Sequence, residues 1–234
     1  MITVYLFSGL GADYRAFRYL DLSGFHVVHI PWITPLAHEH IESYAKRLSA
    51  PITAPNAILI GLSFGGILAI EVAKQVAVHG IILLASIKNY SELPFYYRWI
   101  GKLRLHHLVP TSWLAKPHFW SAWIFGAKTK AEKKLMATIL KDTDIPFLTW
   151  ALDVILSWKN TEIPNRLIHI HGTKDRLLPL RFVNADIIID GGEHLMTINK
   201  AKEVSKAIRH AIVHFFPTVY PPKCSESDVI KRSI

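Results

Sequence analysis

Six short apolar runs punctuate the chain, and between them apolar residues recur at every third or fourth position. The runs cover residues 3–7, 25–30, 57–62, 80–85, 166–171 and 185–190. Their Val, Ile and Leu stand on consecutive positions, the mark of strands buried on both faces. The 3.6-residue pattern predicts helices over 38–49 (Ile41, Tyr44, Ala45, Leu48), 64–76 and 198–216 (Val204, Ala207, Ile208, Ala211, Phe215). A shorter helical pattern runs through Tyr14, Phe17 and Leu20, with Asp13 placed to cap it. Strands alternating with helices predict an α/β fold, a parallel sheet of about six strands with helices on both faces.

The alternation breaks between residues 90 and 159. This stretch reads as helical throughout, and Pro94, Pro110, Pro117 and Pro146 divide it into about four helices. It holds six of the seven tryptophans, all but Trp32. A helical cap is therefore expected at 90–159, inserted between two parts of an α/β core, 1–89 and 160–216. Most of the cap tryptophans are expected to form its own small core, with one or two facing a pocket. Residues 217–234 are polar and irregular, with Pro217, Pro221 and Pro222, and are expected to be a loose tail.

Composition narrows the class. Half of the 234 residues are apolar, enough for a full-sized core. The single cysteine, Cys224, excludes a disulfide framework and suits a reducing compartment, so the cytoplasm is the expected location. The apolar start at residues 1–7 lacks a basic leader and a small-residue cleavage site, and reads as a strand. The longest apolar run is broken by glycines and ends at Glu71, so no transmembrane segment is expected. The formal net charge is +9. Between residues 88 and 141, ten basic residues stand against Glu92 and Glu132, leaving +8 in that stretch. The charge thus belongs to the cap. No element that would read a nucleic-acid groove accompanies it, so nucleic acid is not an expected partner. A solvated face and attraction of an anionic substrate, carrier or bilayer surface both remain open.

Candidate chemistry is concentrated at Gly61-Leu62-Ser63-Phe64-Gly65. A strand leads in and a helix leads out, with one serine at the apex of a tight turn. Glycines two residues either side let the two backbones approach. The N–H of Phe64 opens the helix, where unpaired donors and the positive dipole end favour an anion. A serine hydroxyl needs a base, and the base needs an acid to set its tautomer. His194 follows the last strand in Gly191-Gly192-Glu193-His194, and Asp175 follows the strand before it in His171-Gly172-Thr173-Lys174-Asp175. Asp190 and Asp153 are the rival acids. Of the thirteen histidines, His26, His29, His169 and His171 read as structural, and His106 and His107 as exposed cap residues. The loop Ser8-Gly9-Leu10-Gly11 after the first strand could supply a second oxyanion donor, the N–H of Leu10. No Cys/His cluster has metal-ligand spacing, and G-x-G-x-x-G is incomplete, so neither metal nor cofactor is expected.

These residues resemble the α/β-hydrolase fold superfamily in its compact capped form. The resemblance spans nearly the whole chain except the tail. It rests on Gly61-Leu62-Ser63-Phe64-Gly65-Gly66, on His171-Gly172-Thr173-Lys174-Asp175-Arg176 with Pro179, and on Gly192-Glu193-His194. It implies a cofactor-independent serine hydrolase acting on a carboxylic ester or thioester, with Ser63 as nucleophile, His194 as base and Asp175 as its orienting acid. The leading antiparallel strands usual in the fold are not expected here, which implies a reduced sheet of six parallel strands. Relatives also carry His-Gly where this chain has Ser8-Gly9, which implies different hydrogen bonding behind the oxyanion loop. The same triad in this fold also serves carbon–carbon bond hydrolases, lyases and slow-turnover ligand receptors, so these stand as alternatives.

Overall fold

The computed structural model describes residues 1–216; the tail expected over 217–234, with Cys224, lies outside the described residues. Six strands form one fully parallel sheet: β1 (Thr3–Phe7), β2 (His26–Ile30), β3 (Ala57–Leu62), β4 (Gly80–Leu84), β5 (Leu167–Gly172) and β6 (Ile187–Ile189), in the spatial order β2-β1-β3-β4-β5-β6. The chain runs from β1 outward to β2, then crosses back to β3 on the other side of β1. That reversal leaves a crevice beyond the carboxyl ends of β1 and β3, where ligands bind in open α/β sheets. The loops carrying Leu10 and Ser63 leave the sheet there.

Alternate side chains along each strand enter two apolar layers. On one face Tyr5, Phe7, Leu59, Ile81 and Leu83 meet α1 (Ile41–Leu48) and α2 (Phe64–Ala73). On the other, Val4, Leu6, Ile58, Ile60 and Ile82 meet the closing helix, which a one-turn helix α8 (Met196–Asn199) precedes among the described residues. The closing helix presents Val204, Ala207, Ile208, Ala211, Ile212 and Phe215 to the sheet. That helix, α9 (Ala201–Phe215), begins three residues later than its periodicity suggests, because Lys200 breaks helical geometry between the two helices. Asp13 caps a short 3-10 turn, accepting the Arg15 N–H at 2.9 Å.

The inserted stretch contains five α-helices among its described residues: α3 (Phe95–Lys102), α4 (Thr111–Leu114), α5 (Phe119–Phe125), α6 (Lys130–Lys141) and α7 (Ile145–Ser157). Each of the four prolines opens or precedes one of them, as expected. The fifth start, at α6, carries no proline. It is set by a capping box, in which Thr129 Oγ1 accepts the Glu132 N–H and Glu132 accepts the Thr129 N–H. The expectation for the tryptophans is corrected. Trp99, Trp113 and Trp123 are exposed. Trp150 and Trp158 pack on the sheet layer instead of forming a separate core. Trp158 donates Nε1–H to the buried Glu71 carboxylate at 2.8 Å, and Trp150 donates to Glu39 O at 2.8 Å. Phe147 stacks on Trp32 at 5.0 Å and meets Phe64 edge-on at 6.2 Å, so α7 is tied directly to the serine turn.

Candidate active site

Ser63 stands between β3 and α2 with φ 53° and ψ −120°, a conformation that non-glycine residues rarely adopt. Its neighbours make this geometry possible. A Cβ on Gly61 would overlap the backbone of Gly65 and Gly66, and a Cβ on Gly65 would overlap the carbonyls of Phe7 and Ser8. Ser86, after β4, donates its hydroxyl to Ser63 O at 2.6 Å and braces the turn from behind.

Three side chains distant in sequence meet here. Ser63 Oγ lies 2.9 Å from His194 Nε2, and His194 Nδ1 lies 2.8 Å from Asp175 Oδ2. With Nδ1–H donated to the carboxylate, Nε2 is left to accept the serine proton. The other oxygen of Asp175 accepts the N–H groups of Leu177 at 2.9 Å and Leu178 at 2.8 Å. Burial pushes the Asp175 carboxyl up, but attraction and a hydrogen bond from His194, aided by His171 and Leu178, outweigh it and hold the group below its ordinary range.

The rival acids are engaged elsewhere. Asp190 takes the Thr173 hydroxyl at 3.3 Å, and Thr173 Oγ1 accepts the Gly191 N–H at 2.8 Å, which orders the histidine loop. Asp153 lies 2.6 Å from His106 Nε2 and 3.2 Å from His107 Nε2. His106 is consequently largely buried, not exposed as the sequence suggested, while His107 is half exposed. These three groups lie within 4.8 Å of one another, so a cluster with ligand-like spacing does exist, contrary to expectation. None of the three is hydrogen-bonded to Ser63, Asp175 or His194.

The loop after β1 passes against the serine: a Cβ on Gly9 would sit 3.5 Å from Ser63 Cβ. Neither the Leu10 nor the Phe64 N–H donates a backbone hydrogen bond among the described residues, so both donors are free. Ser8 donates its hydroxyl to Ala12 O at 2.7 Å. Trp32 Nε1–H reaches the same carbonyl at 2.9 Å, and Thr143 donates to Gly11 O at 3.0 Å. The loop is thus held from the core and from the insertion.

Two buried histidines stand behind Asp175. His169 Nε2–H donates to His171 Nδ1 at 3.1 Å, and His171 Nε2–H donates to Leu178 O at 2.8 Å while lying 3.5 Å from Asp175 Oδ2. Burial lowers both imidazoles below their ordinary value, His169 furthest. Their spacing of two on β5 was the available signal, since alternate strand residues share a face. The roles of Ser86, Thr143 and Trp32 had no local signal, because each acts across the chain.

No sequence relative is found among curated proteins. Solved structures with the same fold include a hydrolase from Oleispira antarctica (16% identity, TM-score 0.69, 91% of each chain covered). A bromoperoxidase from Bacillus anthracis (18%, 0.61, 90% of this chain and 91% of that one) and a thermophilic esterase from Thermogutta terrifontis (17%, 0.63, 92% and 90%) are also similar. At these identities the likeness establishes the fold. A family model, described as alpha/beta hydrolase family, matches residues 4–207. The match spans both parts of the sheet, the serine turn and the loops of Asp175 and His194, and the protein belongs to the alpha/beta hydrolase family.

Proposed function

We propose that this family member is a serine hydrolase that cleaves a carboxylic ester or thioester through an acyl-enzyme. The hydrogen-bonded line Ser63–His194–Asp175 is the observation that carries the reading. Ser63 Oγ attacks the carbonyl carbon as its proton passes to His194 Nε2. The carbonyl oxygen takes the negative charge and is received by the Leu10 and Phe64 N–H groups. His194 then protonates the departing alkoxide or thiolate, leaving an ester on Ser63. Water, deprotonated by His194, attacks that ester and releases the acid, and the proton returns to Ser63. Asp175 keeps His194 in the required tautomer and stabilises its charged form.

In this reading residues 90–159 act as the cap. The substrate is a small acyl compound, anionic or carrier-bound. An open cleft of about 620 Å³ in this insertion is net basic, lined by Lys116, Lys134 and Lys141 with Asp142; none of Ser63, His194 or Asp175 lines it, and its link to the serine is Thr143, the wall residue bonded to the Gly11 loop. The test pairs a fluorophosphonate probe with a panel of p-nitrophenyl esters and acyl thioesters. A single label at Ser63, lost in Ser63→Ala, with multiple turnover on at least one substrate is the expected result. Labelling at another serine, or acylation that stops after one equivalent on every substrate, would reject the reading.

A further inference from the structure

Residues 93–131 contain no Asp or Glu, yet they carry Arg98, Lys102, Arg104, Lys116, Lys128 and Lys130. The same stretch holds eight of the thirteen exposed large hydrophobic side chains among the described residues, Trp99 (57%), Leu108 (78%) and Trp123 (62%) among them. Large exposed apolar patches on a stable protein mark interaction surfaces.

The arrangement is ordered. Phe95, Trp99 and Leu103 stand four residues apart, on one stripe of α3 and its first following residue. The other side of α3 packs on α7, where Gly101 approaches Leu156 too closely for a Cβ. The stripe is therefore left exposed, although Phe95 at its start also meets Phe182 edge-on at 6.1 Å, and α3 buries none of its residues. Lys102 Nζ rises beside the stripe, 5.4 Å from the Trp99 ring centre. Leu105 and Leu108, three apart on a 3-10 turn, continue the exposed apolar surface.

We propose that this face adsorbs to the surface of an anionic lipid bilayer. Tryptophan and leucine side chains seat at the boundary between headgroups and acyl chains, and flanking lysines and arginines reach lipid phosphates. A bilayer answers both the apolar stripe and the surplus of positive charge, which stays net basic although Asp153 meets His106 and His107 and Glu193 takes Lys128. A two-fold dimer through this face answers only the first, because it sets two net-basic surfaces against each other. No helix among the described residues is long and apolar enough to cross a membrane, so the attachment is peripheral. The inference is independent of the triad.

The test is co-sedimentation of the full chain with vesicles of phosphatidylcholine alone or with one quarter phosphatidylserine. Binding should require phosphatidylserine and weaken as salt rises. The double variant Trp99→Glu/Leu108→Glu should lose at least about tenfold in partitioning. Lys102→Gln and Arg104→Gln should each cost about fivefold, the worth of one basic group at an anionic leaflet. All are exposed positions, so Ser63 labelling and circular dichroism should not change. Failure to sediment with either vesicle at low salt, or equal binding by the double variant, would overturn the proposal. So would light scattering that finds a dimer which Trp99→Glu/Leu108→Glu converts to monomer.

Discussion

Arg176 and Glu193, the chain neighbours of Asp175 and His194, form an ion pair, with Arg176 Nη1 3.1 Å from Glu193 Oε2. The same Arg176 nitrogen donates to Trp123 O at 2.8 Å, and its guanidinium lies 4.8 Å from the Trp123 ring centre. The buried Glu193 also meets Lys128 at 2.6 Å. Both loops that present the site thus grip residues 123–128 of the insertion. Gly126 completes the contact: its φ is +79°, and a Cβ there would overlap the Glu193 carboxylate. Gly126→Ala should lower stability by about 1–3 kcal/mol through strain and displacement of Glu193. Urea unfolding checks this, and an unchanged midpoint would contradict the docking.

Asp175→Asn should reduce kcat by roughly 10⁴, because the amide no longer fixes the His194 tautomer. Asp153→Asn should leave ester turnover near that of the unmodified chain, since its partners are His106 and His107. Steady-state kinetics on one ester decide the matter, and the reverse ranking would show that the acid is misassigned.

His169 and His171 make stability depend on pH. Burial lowers both below the ordinary 6.5, and repulsion between them lowers His169 further, while Asp175 pulls His171 partly back. Below pH 6.5 the unfolded chain takes up protons that the native chain refuses, so stability falls as pH drops. Each histidine contributes at most about 1.4 kcal/mol per pH unit there. Asp175, held low, keeps its stabilising contribution down to its unfolded value near 3.8 and loses it as pH falls further. Glu92, raised by burial, acts with the opposite sign above pH 4.5. Comparison with His169→Gln isolates the histidine share: its denaturation midpoint should vary less between pH 6.5 and 5. Parallel slopes for the two proteins would refute this.

If the lysine-lined cleft receives an anionic group, kcat/KM for an acyl-CoA should fall with salt more than for a neutral ester of the same chain length. The Debye length shrinks from about 30 Å at 0.01 M to about 8 Å at 0.15 M, so the contrast lies in an accessible range. Lys134→Gln with Lys141→Gln should flatten the dependence and spare the neutral ester. Lys128 is left in place because it pairs with Glu193. Equal salt sensitivity for both substrates would return these lysines to the solvated surface.

The chain's local patterns determined much of this architecture. Runs of Val, Ile and Leu identified all six strands within two residues at each end, most cleanly in β1, β3 and β4, which are buried on both faces; the edge strand β2 keeps exposed histidines and β5 carries His169 and His171. The serine turn was readable too: only glycine at 61 and 65 lets strand and helix approach, so its steric requirement is written into neighbouring residues. Strand-end position selected His194 and Asp175. Tertiary structure decided what surrounds them. Periodicity reports that a residue is buried, not what buries it. Hence it could not reveal that Trp158 docks on Glu71, that Glu193 turns to the insertion, or that His106 claims Asp153. Nor could it tell that Trp99, Trp113 and Trp123 stay exposed, since an apolar helical stripe looks the same whether it meets protein or lies open. Such contacts join residues tens of positions apart, and only the folded chain brings them within range.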